Sequence, residues 1–247
     1  MLNLWIDFLV ESFSGLRGLP LRIAINCVNG SSVKVAREVL TRLKLNFTLY
    51  NTEGVINTSP QEMKEFDVGF VFDGDGDRCS VVGIHGDQLL ASLAVWLKQK
   101  NMLNDSQIVG TILFNSGTEK WLRDQGISVL RVPVGDKNVC EALEAYDLSL
   151  GGEESGHVIT PHLYHAGDGL MTALLVLQML SEISEFPEVP LAPSITKNFD
   201  ATQSMKAFLR TDSFKIFLRE LNELNTDTRI VIRPSGTEDL VRVLVEG

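Results

Sequence analysis

The stretch VGFVFDGDGDR (residues 68–78) places three aspartates on alternate positions directly after a run of apolar residues. The apolar run predicts a buried strand, and ligands in open α/β sheets bind beyond the carboxyl ends of the strands. Glycines separate the aspartates, so no bulky side chain limits the path of the backbone there. Three like charges are tolerated this close when a cation lies among them, and carboxylate oxygens suit Mg²⁺ or Ca²⁺. The stretch therefore predicts a metal loop on an α/β fold.

Other interpretations of this loop compete with the first. An EF-hand needs glycine and glutamate at its sixth and twelfth positions, which here are Arg78 and Ile84. A Rossmann fingerprint would need its third glycine where Cys79 stands. A phosphatase of the haloacid dehalogenase type also begins with an apolar run and DxDx, but usually has Thr or Val in place of Asp77. That alternative and a plain solvated acidic turn both stay open, although Arg78 and the unbroken strand speak against the turn.

Composition excludes several functional classes. The chain has 247 residues, of which 44% are hydrophobic, so it can bury a substantial core in more than one domain. A net charge of −10 argues against a general nucleic-acid or anionic-membrane surface. The three cysteines form no CxxC pair and indicate a reducing compartment. The N-terminus lacks a basic region, and the most apolar helix candidate (170–180) is too short to span a bilayer. We therefore expect a cytoplasmic protein without nucleic-acid or membrane partners.

Strand and helix patterns alternate along most of the chain. Helical spacing over 31–44 predicts a helix with Ser31 or Ser32 as its N-cap. The proline-rich segment 186–194 marks a boundary, beyond which we expect a helix near 212–224 and two strands. The pattern indicates two α/β units and a small α+β unit, and no internal repeat survives counting.

A second loop, LSLGGEESGH (148–157), is rich in groups that form hydrogen bonds. Glu153, Ser155 and His157 alternate, so their side chains would point the same way in an extended loop. A carboxylate together with a hydroxyl suits a pair of sugar hydroxyls. A glycine-rich turn with a satisfied histidine explains the stretch equally well.

A third loop, RPSGTED (233–239), lies between two predicted strands. Arg233 can donate two hydrogen bonds to a phosphate, Ser235 and Thr237 offer hydroxyls, and Gly236 allows a concavity of backbone N–H groups. An ordinary hairpin turn is the alternative. Lys137, in VGDK (134–137), is either a pocket cation or an exposed lysine at the start of a helix.

These four motifs, in this order, resemble those of the α-D-phosphohexomutase superfamily, most closely of its phosphoglucosamine mutase branch. The similarity extends through LRIAINCVNG, IVGTILFNSG, HAGDG and RPSGTEDLVRVLVEG, and so covers nearly the whole chain. The resemblance implies two consecutive α/β/α domains with mixed sheets, at 1–86 and 87–187. A small, truncated α+β domain would follow at 188–247.

The resemblance also implies an activity, the movement of a phosphoryl group between O6 and O1 of a hexose phosphate. Glucosamine phosphate is the expected substrate and Mg²⁺ the expected cofactor. The implied metal ligands are Asp73, Asp75 and Asp77. The implied catalytic residues are Arg78, Lys137 and His157, and the implied substrate-binding residues are Glu153, Ser155, Arg233, Ser235, Gly236 and Thr237.

One part of the family pattern has no counterpart in these 247 residues. Members carry a phosphoserine in a Ser-His-Asn setting, and no Ser-His-Asn occurs here. We therefore expect this chain alone to be inactive, with a separate serine-bearing domain or chain as a candidate partner. The alternative is a non-catalytic module that binds a sugar phosphate or a metal.

Overall fold

A computed structural model describes residues 2–56, 65–225, 228–236 and 238–247. Thr237, which the sequence assigned to phosphate binding, lies outside the described residues. The described strands form three open sheets rather than a closed barrel. The expectation of an α/β fold with mixed sheets is confirmed, and the exact domain limits stay predictions.

The first unit contains a four-stranded sheet in the order β2–β1–β3–β4. Strand β1 pairs parallel to β2 and β3, whereas β4 pairs antiparallel to β3. β1 and β3 are buried at nearly every position, which explains why both read as continuous apolar runs. The elements of this unit are α1 (Leu2–Ser12), β1 (Arg22–Asn26), α2 (Val33–Arg42), β2 (Asn46–Tyr50), β3 (Val68–Phe72) and β4 (Cys79–Val81).

The second unit repeats this topology, with a sheet in the order β6–β5–β7–β8. Again the first strand of the unit pairs parallel to the second and third, and the fourth runs antiparallel. Its strands are β5 (Gln107–Thr111), β6 (Ser128–Val132), β7 (Gly151–Gly152) and β8 (Val158–Ile159), and its helices are α3 (Gly86–Gln99), α4 (Ser116–Asp124), α5 (Asp136–Ala145) and α6 (Gly169–Ile183). The repeat is one of topology, which a search for repeated residues does not detect.

The third unit is a small antiparallel sheet in the order β10–β11–β9. Its elements are β9 (Ser194–Asp200), α7 (Gln203–Phe208), α8 (Asp212–Leu224), β10 (Arg229–Pro234) and β11 (Leu240–Glu246). The sequence predicted α8, β10 and β11 but missed β9 and α7. β9 is exposed at every position, so its sequence lacks the alternation of a half-buried strand.

One continuous apolar core joins the first two units. It includes side chains from α1, β1, β3, α3 and α6, and extends along the chain from Ile6 to Val189. Helix α6 belongs to the second unit by sequence, yet it packs against β3 and β4 of the first sheet. Burial of each large aliphatic side chain in this core contributes roughly 1.5–3 kcal/mol. The two sheets are therefore held in a fixed relation, so that loops from both can form one site.

The start of α2 differs from the prediction. Ser32 occupies the N-cap position, but its side chain makes no capping hydrogen bond. The hydroxyl of Ser31 instead donates to the carbonyl oxygen of Asp75, at 2.7 Å. Ser31, one of the two predicted N-cap residues, therefore binds the aspartate loop instead of capping α2. Separately, none of the helices in the described ranges combines the length and apolar character needed to cross a bilayer.

Candidate functional site

The aspartate loop (residues 73–78) follows β3 and folds back on itself. Asp73 Oδ1 accepts hydrogen bonds from the backbone N–H groups of Gly76 and Arg78, both at 3.1 Å. Gly76 has a φ of +82°, a conformation that favours glycine, so the turn depends on this residue. The loop brings carboxylate oxygens of Asp73, Asp75 and Asp77 within 4.8 Å of one another. The alternation read from the sequence thus becomes a convergence of three carboxylates.

The charges of this loop fit a hard divalent cation. Arg78 Nε lies 2.8 Å from Asp73 Oδ2 and 3.5 Å from Asp77 Oδ1, which offsets part of the negative charge. These two oxygens are buried and accept no hydrogen bond of good geometry within the described chain. Together with the exposed Asp75, these buried carboxylate oxygens beside Arg78 form an all-oxygen ligand set of the kind that Mg²⁺ prefers.

The segment before α2 clamps the aspartate loop from the side. The backbone N–H of Ser31 donates to the Gly74 carbonyl at 3.0 Å. A Cβ at Gly30 would lie 2.5 Å from that same oxygen, so only glycine permits the contact. Local sequence gave no sign of this role, which depends on two segments more than 40 residues apart meeting in space.

The glycine-glutamate loop (residues 151–157) connects β7 to β8 as a tight turn rather than as an extended loop, in line with the alternative of a glycine-rich turn. The backbone N–H of Gly156, whose φ is +87°, donates to the Glu153 carbonyl at 3.1 Å. The side chains therefore diverge instead of pointing the same way. Glu153 Oε1 accepts the backbone N–H of Gly135 at 2.8 Å, Ser155 is exposed, and His157 is only 5% exposed.

These two loops are bonded to each other. The backbone N–H of Cys79 donates to the Gly156 carbonyl at 3.0 Å, and His157 Nδ1 lies 3.2 Å from Asp77 Oδ2. Gly169, at the start of α6, donates its N–H to the Gly76 carbonyl at 2.8 Å. The aspartate loop and the glycine-glutamate loop are therefore one rigid constellation, although 70 to 80 residues separate them in the sequence.

The arginine loop (residues 233–239) continues from β10. Arg233 and Arg242 are directly opposite each other on β10 and β11, and both line a cavity of about 160 Å³ together with Asn198 and Glu154. Burial and then the nearby Arg242 lower the pKa of Arg233. The Nε atoms of both arginines lack hydrogen-bond partners among the described residues. The Arg242 guanidinium also donates to Glu238 Oε2 at 2.6 Å, but two adjacent guanidinium groups whose Nε atoms lack acceptors would both gain from a bound anion.

The other predicted residues of this loop have different surroundings. Ser235 is buried, and its hydroxyl accepts the backbone N–H of Glu238 at 3.3 Å, so it shapes the turn. A Cβ at Gly236 would meet nothing within 4 Å, so no contact in the ligand-free structure requires glycine there. Lys137 has a side chain 82% exposed, with its Nζ 3.7 Å from Glu141 Oε1 on the surface of α5. Its assignment to catalysis or phosphate binding stays a prediction.

Asp168 and Trp5 support the site but were not predicted to do so from the sequence. Asp168 caps α6 by accepting the backbone N–H of Met171 at 2.8 Å, and it also accepts the indole N–H of Trp5 at 3.1 Å. Burial raises the pKa of the Asp168 carboxyl. The HAGDG motif could have indicated this N-cap, because aspartate before an apolar helix is a common start signal. Nothing in the sequence could have indicated the bond to Trp5.

Two family models match this chain. Residues 85–190 match the model described as phosphoglucomutase/phosphomannomutase, alpha/beta/alpha domain III. Residues 197–247 match the model for the C-terminal domain of the same family. Together they cover most of the second and third units.

Curated relatives agree with these matches. The chain is 37% identical to a phosphoglucosamine mutase of Thermotoga maritima, over 99% of this chain and 61% of the relative. It is 34% identical to a phosphoglucosamine mutase of Ruminiclostridium cellulolyticum, over 92% of this chain and 56% of the relative. The chain thus spans about three fifths of the length of the curated relatives that it matches.

Solved structures share the fold. A phosphoglucomutase/phosphomannomutase family protein of Burkholderia thailandensis superposes with a TM-score of 0.77 at 20% identity, over 100% of this chain and 60% of that chain. An N-acetylphosphoglucosamine mutase of Aspergillus fumigatus, solved in complex with GlcNAc-6P and magnesium, gives a TM-score of 0.76 at 17% identity. This match covers 98% of this chain and 66% of that one.

Proposed function

The chain belongs to the phosphoglucomutase/phosphomannomutase family, and we propose that it forms the substrate-holding part of a phosphosugar mutase. The reaction would move a phosphoryl group between O6 and O1 of a hexose phosphate, with glucosamine phosphate as the substrate. The observation that carries this proposal is the bonding of the aspartate loop to the glycine-glutamate loop through His157 and Asp77. This contact would join the groups proposed to bind the cation to those proposed to bind the sugar.

Each of the three loops would supply one part of the binding. Asp73, Asp75 and Asp77 would hold Mg²⁺, which would supply charge stabilisation for a phosphoryl group in transfer. Arg78, beside these carboxylates, would contact the same phosphoryl group. His157 orients Asp77 and is itself held in a buried position.

The sugar and its stationary phosphate would be held further along the site. Glu153 and Ser155 would bind sugar hydroxyls, with Glu153 held in place by the backbone N–H of Gly135. Arg233 would grip the phosphate that does not react, because its guanidinium lines a cavity and has no acceptor at Nε. Ser235 would shape the loop around that phosphate, together with Gly236.

The proposal separates binding from turnover. Transfer by this family route needs a phosphorylated nucleophile, and these 247 residues contain no Ser-His-Asn. Positioning cannot replace a covalent step, so the chain alone should bind a hexose phosphate and not isomerise it. A serine-bearing domain, supplied separately, should restore turnover if the cleft is otherwise intact.

Titration calorimetry with glucosamine 6-phosphate tests the binding step. Arg233→Ala should weaken binding by roughly 1.5–3 kcal/mol, because charge-assisted hydrogen bonds to phosphate are lost. Lys215→Ala is the matched control, since this exposed lysine on α8 forms an ion pair with Asp212 within its own helix. Equal affinity of the wild type and Arg233→Ala would contradict the assignment of the phosphate site.

A coupled isomerisation assay, with and without an added serine-bearing domain from a relative, tests the turnover step. Activity only after addition supports a mutase part that works in trans. Binding without activity in both assays favours the second candidate, a non-catalytic sugar-phosphate module. Turnover by the purified chain alone would overturn the proposed dependence on the serine.

A further inference from the structure

A second group of metal-binding side chains lies outside the aspartate loop. His85 and Asp87 flank the first residue of α3, and Glu154 comes from the turn between β7 and β8. Their ligand atoms lie within 4.8 Å of one another. The group therefore brings together two segments that are nearly 70 residues apart, at the junction between the first and second units.

The backbone fixes this junction. A Cβ at Gly86 would overlap the carbonyl oxygen of Glu154, so the turn rests directly on the start of α3. His85 adopts an extended N-cap conformation, and Gln88 donates through its side chain to the Val189 carbonyl at 2.7 Å. The position of Glu154 relative to α3 is consequently set by main-chain packing rather than by its own flexible side chain.

Asp87 gives independent evidence for a ligand. Its side chain is only 1% exposed, and one oxygen, Oδ2, accepts the backbone N–H of Asn115 at 2.9 Å. The other oxygen, Oδ1, is buried without a hydrogen-bond partner in the described chain. A cation would satisfy the orphaned oxygen and relieve the repulsion between this carboxylate and that of Glu154.

The donor set selects the kind of cation. His85 Nδ1 accepts the backbone N–H of Asp87 at 3.3 Å and lies 3.8 Å from Asp87 Oδ2, so a metal at this nitrogen would replace the N–H as its partner. Zn²⁺ accepts both imidazole nitrogen and carboxylate oxygen as ligands, whereas Mg²⁺ takes oxygen ligands. The amino end of a helix disfavours a cation, but two carboxylates outweigh that partial charge.

We propose that His85, Asp87 and Glu154 form a binding site for Zn²⁺, separate from the aspartate loop. The ion would link the start of α3 to the glycine-glutamate loop. Protein ligands would fill three positions, and water would complete the coordination.

Competition with a chromophoric chelator measures the Zn²⁺ affinity of the full chain. His85→Ser removes the imidazole but keeps an N-cap acceptor, and Glu154→Gln removes one carboxylate from an exposed residue. Each change should weaken Zn²⁺ binding by about tenfold or more, since even outer-shell changes at metal sites cost 10–100-fold. His165→Ala removes an exposed histidine near Cys140 and should leave the affinity unchanged, as should Asp75→Asn.

The controls assign the ion to one site. Unchanged affinity in both His85→Ser and Glu154→Gln overturns the proposal. Loss of binding in Asp75→Asn alone also overturns it, because the ion would then belong to the aspartate loop. Thermal unfolding of each metal-free variant confirms that it is folded before titration, and Glu154→Gln, at an exposed position, keeps the test available if His85→Ser does not fold.

Discussion

His157 Nδ1 lies 3.2 Å from Asp77 Oδ2, and this contact joins two loops that belong to different sheets. The histidine is buried, and a Cβ at Gly167 would overlap its ring, so the ring has little freedom to turn away. Asp77 is thereby oriented by a residue outside its own loop. The geometry of the aspartate loop depends on the packing of the second unit.

A double-mutant cycle tests this contact. We expect His157→Ala and Asp77→Asn to show a coupling of about 0.5–3 kcal/mol in the free energy of unfolding, the range for two residues in direct contact. Urea unfolding of the wild type, both single variants and the double variant measures it. His162→Ala combined with Asp77→Asn is the control and should be additive. Additivity of the His157 pair as well would contradict the contact.

The three aspartates should differ in their effect on stability. Asp73 accepts two backbone N–H groups of its own loop, so Asp73→Ala should destabilise the fold by about 1–3 kcal/mol. Asp75 is exposed, and Asp75→Ala should change stability by less than about 0.5 kcal/mol while it weakens Mg²⁺ binding. Thermal unfolding in a chelator gives the stability, and calorimetry gives the Mg²⁺ affinity. An equal loss of stability in both variants would refute this division of roles.

Replacement by alanine should lower the stability at one glycine and leave it nearly unchanged at another. Gly86→Ala puts a methyl group into the Glu154 carbonyl and should cost about 1–3 kcal/mol or more in unfolding free energy. Gly236→Ala meets nothing within 4 Å and should stay within about 0.5 kcal/mol of the wild type. Urea unfolding measures both. Normal stability of Gly86→Ala would show that α3 and the turn are not in close contact.

Asp168 should be a sensitive position although it is not among the predicted ligands. Asp168→Ala removes the cap of α6 and leaves the Trp5 indole N–H without its partner, a loss of roughly 2–3 kcal/mol. Trp5→Phe loses only the second of these bonds and is the partial control. Thermal unfolding of the three proteins should give this order, and a larger effect of Trp5→Phe would contradict it.

The buried carboxyl of Asp168 should make the stability of the fold depend on pH. Because burial raises the pKa of Asp168 in the fold, the folded state binds its proton more tightly than the unfolded state. Stability from this group is therefore complete below the ordinary carboxyl pKa and is lost as pH rises through the higher folded value. The wild type should lose stability relative to Asp168→Asn over that rise, in unfolding curves measured from acid towards neutral pH. Parallel curves would contradict the raised pKa.

Two arginines of β10 should have effects of opposite sign on stability. Arg233 faces Arg242 across the sheet, so Arg233→Met should stabilise the ligand-free chain by about 0.2–1 kcal/mol while phosphate binding is lost. Arg229 lies 2.9 Å from Glu246, which is only 2% exposed. Arg229→Met leaves that carboxylate buried without a partner and should cost about 3–5 kcal/mol. Thermal unfolding without phosphate decides whether the signs differ.

The sequence by itself determined most of the helices and strands and the order of the functional loops. Hydrophobic periodicity is a local signal, and it placed α8 and β11 at their observed bounds. The apolar run before the aspartates identified β3 because a parallel strand covered on both faces must be apolar throughout. The residue types of the three loops were sufficient to indicate the family.

Only the tertiary structure decided which of these groups meet. Three contacts join segments whose proximity no local pattern in the sequence predicts. They are the contact of His157 with Asp77, the hydrogen bond of Trp5 to the residue that caps α6, and the pairing of Arg233 with Arg242. The turn that separates Glu153 from His157 depends on a glycine with positive φ pressed against the Cys79 carbonyl, which the alternating residues alone did not indicate. Such contacts are set by the core that the first two units share, because α6 packs against β3 and β4 of the first sheet and against α3 of the second unit.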